Sequence, residues 1–213
     1  MHTELALFGV TGIGDDELPA IAGSLPEGAT IVPDFVSSIQ ERALIRVLDD
    51  PSTASWRSDL KRRVQHYGYR YDYRAKGVSD AARLGPLPDW AMPLCQQMVE
   101  EEYFRELPDQ VIVNEYLPGQ GIAPHVDQPN CFGPVVASLS LGSDTVMRFS
   151  RDDDIQGEVL LPNRSLIILQ RAARYDFKHS IPQRRKDSIN GQTSTRHRRI
   201  SLTFRTVLSR HRP

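Results

Sequence analysis

From Gln110 onward the chain is a succession of short apolar runs broken by turn residues, and this rhythm limits the possible fold more than any other feature. Runs at 111–117, 135–141, 146–150, 158–161, 165–169 and 199–206 are rich in Val, Ile, Leu and Phe. Turn signals such as Gly142-Ser143-Asp144 and Leu161-Pro162-Asn163-Arg164 stand between them. Short strands at this spacing predict a mainly β chain, a jelly-roll or cupin-like sandwich with a mouth wide enough for a ligand. The first half supplies flanking helices. Ser38-Ile39-Gln40-Glu41 reads as a capping box that opens a helix through about Leu48, with Leu44, Val47 and Leu48 facing inward. Asp89 reads as the cap of a second helix, from Trp90 to about Glu102, with Trp90, Leu94 and Met98 on one stripe. Residues 1–30, rich in Gly, Asp and Pro, read as an irregular or partly extended lead-in. With 213 residues and no linker, the chain is expected to form a single domain over 1–213, its β core at 110–207.

The last run has two unlike faces. Period two puts Arg199, Ser201, Thr203 and Arg205 on one side, and Ile200, Leu202 and Phe204 on the other. Two guanidiniums turned inward from one strand are costly to bury without an anion, and the guanidinium fork fits a carboxylate in bidentate fashion. A second polar signal precedes it. After the apolar run Val111-Ile112-Val113, the segment Asn114-Glu115-Tyr116-Leu117-Pro118-Gly119-Gln120-Gly121-Ile122-Ala123-Pro124-His125-Val126-Asp127 sets a histidine and a carboxylate two positions apart. On a strand such positions share a side. An isolated pair of this kind is compatible with a simple turn histidine. With His179 as a third donor, it forms a two-histidine, one-carboxylate triad suited to iron(II) with open coordination positions. A metal triad beside a dicarboxylate clamp points to 2-oxoglutarate.

These motifs together resemble the AlkB family of iron(II)/2-oxoglutarate-dependent dioxygenases: Asn-x-Tyr at 114–116, His125-x-Asp127, His179 about fifty residues on, and Arg199-Ile-Ser-Leu-Thr-Phe-Arg205. The resemblance covers about 31–207 and implies a double-stranded β-helix core. It implies that His125, Asp127 and His179 hold iron(II), and that Asn114, Tyr116, Arg199, Ser201 and Arg205 contact 2-oxoglutarate, with O2 as the second cosubstrate. Arg199 would partner the far carboxylate, and Ser201 stands where many members carry asparagine. The family's chemistry hydroxylates a C–H bond, or demethylates when the hydroxylated carbon is an N-methyl group. The implied substrate is a nucleic acid base, single-stranded or flipped outward, in alkylated DNA or RNA or modified tRNA. His125-Val126-Asp127 with Phe132, and then Ser138-Leu-Ser-Leu-Gly-Ser143, is closest in detail to the branch that hydroxylates a wobble uridine of tRNA. Repair-type members place an acid two residues after the metal aspartate, and this chain has Pro129.

By the same resemblance, residues 31–109 hold the helices and a substrate lid. Tyr67, Tyr69, Tyr71 and Tyr73 alternate along a strand-like stretch and share a face with Gln65. They are either core or a stacking surface, and Arg63, Gln65, Tyr67 and Tyr69, with Phe132, are the expected substrate contacts, Arg62 opening the lid. The polar, basic stretch 183–197 reads as a mobile loop near the entrance, with Arg184, Arg185 and Lys186 facing phosphates. The net charge of −1 conceals an asymmetry: residues 164–213 carry thirteen Lys and Arg against two acids, while 1–55 carry two basic and nine acidic residues. Either the basic end attracts a polyanion or it neutralises the acidic N-terminal part within the fold. Two other functions remain open here: a dioxygenase of protein side chains or small metabolites, and a non-catalytic barrel that binds without reacting. Cys95 and Cys131 lack metal-type spacing and fit a reducing compartment. With no signal-like start and no apolar run of membrane-spanning length, a cytoplasmic monomer is expected.

Overall fold

A computed structural model of the chain describes residues 21–52, 55–58, 60–73, 75, 77–78 and 82–208. Most of the lead-in, and Arg74 of the tyrosine stretch, lie outside the described residues. Two antiparallel sheets form the body. The larger runs in the order β2 (Ala29–Val32), β9 (Leu166–Leu169), β6 (Phe132–Leu141), β13 (Arg199–Val207), β4 (Gln110–Tyr116) and β3 (Arg63–Tyr67). The smaller runs β1 (Ile21–Gly23), β8 (Asp154–Leu161), β7 (Thr145–Arg151), β10 (Lys178–Ile181) and β5 (Ile122–His125). This is the double-stranded β-helix. The described end of the lead-in is partly extended: β1 pairs with β8, and β2 pairs with β9 over Ala29–Val32.

Period two decides what each face of the larger sheet meets. Val111, Val113, Leu139, Ile200, Leu202 and Phe204 point outward and are buried under two helices, α1 (Ser38–Asp49) and α2 (Met92–Glu100), through Leu44, Leu48, Leu94 and Met98. From the other face, Val136, Ile167 and Leu169 pack against Met147, Phe149, Val159, Leu161 and Ile181 of the smaller sheet. Several of these apolar side chains, Val136, Met147, Ile167, Leu169 and Ile181, also border a cavity between the sheets that polar residues complete.

The capping box of α1 sits one residue earlier than the sequence predicts. Ser37 Oγ accepts from the Gln40 amide at 3.2 Å, while the Ser37 amide donates to Gln40 Oε1 at 2.8 Å. Glu41 is buried instead and accepts from the Gly142 amide at 2.8 Å, pinning the helix to the β6–β7 turn. Nor does Asp89 cap α2, whose N-cap is Ala91 with proline in the first turn and no side-chain cap. A five-residue helix, α3 (Arg171–Tyr175), links β9 to β10. The basic stretch 183–197 is not an open loop: it folds into the hairpin β11 (Lys186–Ile189) and β12 (Gln192–Thr195).

Candidate active site

The open end of the sandwich holds a cavity of about 560 Å³ lined by both sheets, within the range of small-ligand sites. On the smaller sheet, β5 ends at His125, and its cross-strand partner on β10 is His179, which brings the two rings to 4.4 Å between centroids. Asp127 is not on the strand. It lies in the connection from β5 to β6, so its approach to His125 depends on what holds that connection rather than on strand alternation. The donor atoms of His125, Asp127 and His179 all lie within 4.8 Å of one another.

Each of the three is prepared for a cation. His125 Nδ1 lies 2.9 Å from the Ala123 carbonyl; a carbonyl only accepts, so Nδ1 carries the hydrogen and Nε2 is free to ligate. Burial, with His125 beside it, pushes His179 down to about 3 against the opposing pull of Asp127, so the ring is neutral. Burial works to raise the Asp127 carboxyl, yet Arg205, His179 and His125 hold it well below the usual carboxylate range. Asp127 Oδ1 accepts from Arg205 at 2.5 Å, while buried Oδ2 has no hydrogen-bond partner and sits 3.5 Å from His179 Nε2. A buried anionic oxygen left without a donor is costly, and iron(II) would satisfy it. The donor set fits the metal.

A second observation concerns Arg199. It is 4% exposed, its Nε has no partner, and its Nη2 donates to Ser140 Oγ at 2.9 Å. Burial pushes this guanidinium down to about 10. A buried cation facing no carboxylate among the described residues marks a place for an anion. Register brings the other expected cosubstrate residues alongside: on β13 and β4, Arg199 is opposite Tyr116 and Ser201 opposite Asn114, and all of them line the cavity. Arg205 also lines it, but its guanidinium is committed to Asp127, to Gln110 Oε1 at 3.1 Å and to the face of Phe132.

The expected substrate contacts divide sharply. Phe132 lines the cavity. Arg63, Gln65 and Tyr67 do not, because they lie on the outer face of β3 opposite Glu115, Val113 and Val111. Arg63 forms a bidentate pair with Glu115 at 2.6 and 2.7 Å, Gln65 donates to the Leu48 carbonyl, and Tyr67 packs edge-on against Trp90. Tyr69 is also outside. β3 stops at Tyr67, since Gly68 has φ +76° and passes so close to the Asp109 carbonyl that a Cβ would lie 1.8 Å from it. Beyond this turn the side on which the tyrosines fall changes, and Tyr71 and Tyr73 are the ones that reach the cavity. Their rings are 5.1 Å apart, and Tyr71 lies 5.9 Å from Phe132 at a tilt of 31°.

Arg184 and Arg185 lie outside the lining. Arg184 pairs with Asp187 at 2.7 Å, and buried Asp187 also takes both prongs of Arg196 at 2.6 and 2.7 Å; Asp187 Oδ2 further accepts from the Val146 amide of β7 at 3.1 Å, which fastens the hairpin to the body. Arg185 and Lys186 are exposed. Three residues escaped the sequence reading. Lys61 lines the mouth and Arg62 the interior, the latter noted only as the start of a lid. Arg174, 2% exposed, donates to the carbonyls of Asp127 at 2.6 Å, Gly133 at 3.3 Å and Phe132 at 3.4 Å. It clasps the connection that carries Asp127, and its only signal in the sequence is its nearness to His179.

Comparison with known proteins agrees with this geometry. The model of the 2OG-Fe(II) oxygenase superfamily matches residues 28–205. An uncharacterized protein of Acanthamoeba polyphaga mimivirus is 37% identical over 187 residues, covering 85% of each chain. The tRNA (carboxymethyluridine(34)-5-O)-methyltransferase alkbh8 of Xenopus tropicalis is 39% identical over 211 residues, covering 91% of this chain. This chain spans about a third of that relative, 33% of its length. The solved structure of OsALKBH1 superposes with a TM-score of 0.68 at 16% identity, covering 86% of this chain and 98% of that one; at that identity the likeness is one of fold.

Proposed function

This chain belongs to the AlkB family of the 2OG-Fe(II) oxygenase superfamily, and we propose that it hydroxylates or oxidatively demethylates a base of a nucleic acid, a modified uridine of tRNA foremost. It is an oxidoreductase whose cofactors are iron(II), 2-oxoglutarate and O2. The observation that carries the substrate reading is the aromatic wall. Tyr71, Tyr73 and Phe132 line the same cavity as the triad, and flat rings at the edge of a reactive site are what an unstacked base packs against. The Xenopus relative, a methyltransferase named for a carboxymethyluridine of tRNA, supports the choice of uridine.

In this reading the residues divide the work. Iron(II) held by His125, Asp127 and His179 supplies the oxidation of a substrate C–H bond, coupled to decarboxylation of 2-oxoglutarate to succinate. Arg199 pairs with the far carboxylate of 2-oxoglutarate, its fork replacing the solvent it lost on burial. Asn114 accepts from Arg62 Nε at 2.9 Å through its Oδ1, which fixes the amide flip and leaves its NH₂ as a donor toward the cosubstrate. Arg205 holds Asp127 in its ligating position rather than serving as a second clamp on the cosubstrate. The target base leaves its stack to reach the triad. Its new hydroxyl stays on a ring substituent, or departs with the carbon as formaldehyde where that carbon was an N-methyl group.

The test is incubation of the iron-loaded chain with 2-oxoglutarate and either tRNA or single-stranded oligonucleotides carrying methylated bases, followed by nucleoside mass spectrometry. A hydroxylated or demethylated nucleoside that depends on both cofactors is the expected result. Succinate release with every nucleoside unchanged would overturn the substrate reading.

A further inference from the structure

Among the described residues, the charged side chains that line the cavity are Lys61, Arg62, Asp127, Arg199 and Arg205, so the only carboxylate among them is Asp127. It is already paired with Arg205 at 2.5 Å. Once the metal and its cosubstrate are in place, their opposite double charges cancel. The positive charges of Arg199, Arg62 and Lys61 then outlast the accounting, and none of the three meets a carboxylate among the described residues. Lys61 is exposed at the mouth and screened by solvent. Arg62 is half-buried and held from several sides. Its Nε donates to Asn114, and its guanidinium carbon lies 5.9 Å from the centre of the Tyr116 ring and 6.0 Å from that of Tyr73. It therefore stands between the residues assigned to the cosubstrate and the aromatic wall. Pro129, two residues after Asp127, offers no acid to offset it.

From this placement, and resting on the nucleic-acid reading above, we infer that Arg62 sets the charge of the base this site accepts: neutral and anionic bases are admitted, and bases with a fixed positive charge are turned away. A cation entering the site would meet a half-buried guanidinium with no free carboxylate among the described lining residues to balance it, and charge opposition of this kind acts in a half-buried site far more strongly than in water. A uracil-type base, uncharged or bearing a carboxylate, meets no such opposition. Arg62 is thus assigned as a specificity-determining residue.

The test uses three single-stranded RNAs identical except at one position, which carries 3-methyluridine, 5-carboxymethyluridine or 3-methylcytidine: neutral, anionic and cationic in turn. Affinity is measured under argon with iron(II) and 2-oxoglutarate present, and product by mass spectrometry after a single turnover in air. The wild type should disfavour the cationic RNA by about tenfold or more relative to the neutral one in affinity or turnover. Arg62→Glu should erase or reverse that ratio, and Arg62→Lys should keep its direction. Because each ratio is taken within one variant, changes in folding or in cosubstrate binding through Asn114 cancel. Equal handling of the three RNAs by the wild type, or an unchanged ratio in Arg62→Glu, would overturn this inference while leaving the nucleic-acid reading intact. If none of the three is bound or oxidised, nor their DNA counterparts, both fall together.

Discussion

At the scale of single residues, the site is organised around one carboxylate and one buried guanidinium. Asp127 takes one prong of Arg205 on one oxygen and leaves the other without a donor, close to the ligating atoms of His125 and His179. Asp127→Ala removes the only anionic ligand of the triad, so iron stoichiometry and 2-oxoglutarate turnover should both collapse. It also strands Arg205 in a buried position, so part of the effect will appear as lower stability. Metal content at the wild-type level would refute the triad. Arg199 has the complementary deficiency, a buried charge whose Nη2 donates to Ser140 while its Nε has no partner. Arg199→Lys keeps the charge and loses the two-pronged geometry, and 2-oxoglutarate binding should weaken by about 1–3 kcal/mol, the range for charged hydrogen bonds. Calorimetry with cosubstrate and with metal separately checks this, because metal affinity should barely move.

At the scale of elements, two short pieces hold the site that the large sheets only frame. The helix α3 presents Arg174 to the carbonyls of Asp127, Phe132 and Gly133. Arg174→Met preserves most of the volume but leaves those carbonyls without donors, and it should cost about 2 kcal/mol or more of stability. Urea unfolding measures that cost, and a titration with metal should show weaker binding as the Asp127 connection loosens. The hairpin β11–β12 is latched by Asp187 to Arg196 and Arg184. Burial tends to raise the Asp187 carboxyl, but the two arginines hold it below its ordinary value. A carboxyl whose folded value is depressed contributes stability above its unfolded value, near 3.9, and loses it as pH falls through the folded one. Proteolysis of the hairpin should therefore rise only below about pH 4 in the wild type, and should already be raised at neutral pH in Asp187→Asn.

At the scale of the whole molecule, the charge asymmetry is largely spent inside the fold. Arg164 pairs with Asp34, Arg171 with Glu27 and Arg198 with Asp49, each a C-terminal cation on an N-terminal acid. Arg184 is committed to the hairpin latch, so of the basic trio at 184–186 only Arg185 and Lys186 remain exposed toward solvent. If both touch phosphates, replacing the two with glutamine should lower the slope of log affinity against log salt for single strands by about 1.4, at roughly 0.7 per contact. A slope unchanged by the double replacement would show that neither Arg185 nor Lys186 touches a phosphate. Succinate formation without nucleic acid should stay near the wild-type level, since neither residue lines the cavity.

Much of this was legible locally. The alternation of Arg199, Ser201, Thr203 and Arg205 with Ile200, Leu202 and Phe204 reports two faces because a strand has period two, and the structure puts a polar cavity on one and helices on the other. The triad was readable because metal ligation demands those residue types whatever surrounds them. Other features were decided by contacts between distant segments. Which tyrosines face the cavity depended on Gly68 passing beneath the Asp109 carbonyl. Whether the basic stretch moves or folds depended on Asp187 meeting the Val146 amide, 41 residues away, and the position of Asp127 depended on Arg174 arriving 47 residues later. Periodicity records a residue's relation to its own strand or helix. It carries no information about which remote donor or carbonyl will lie against it, and tertiary packing alone decides that.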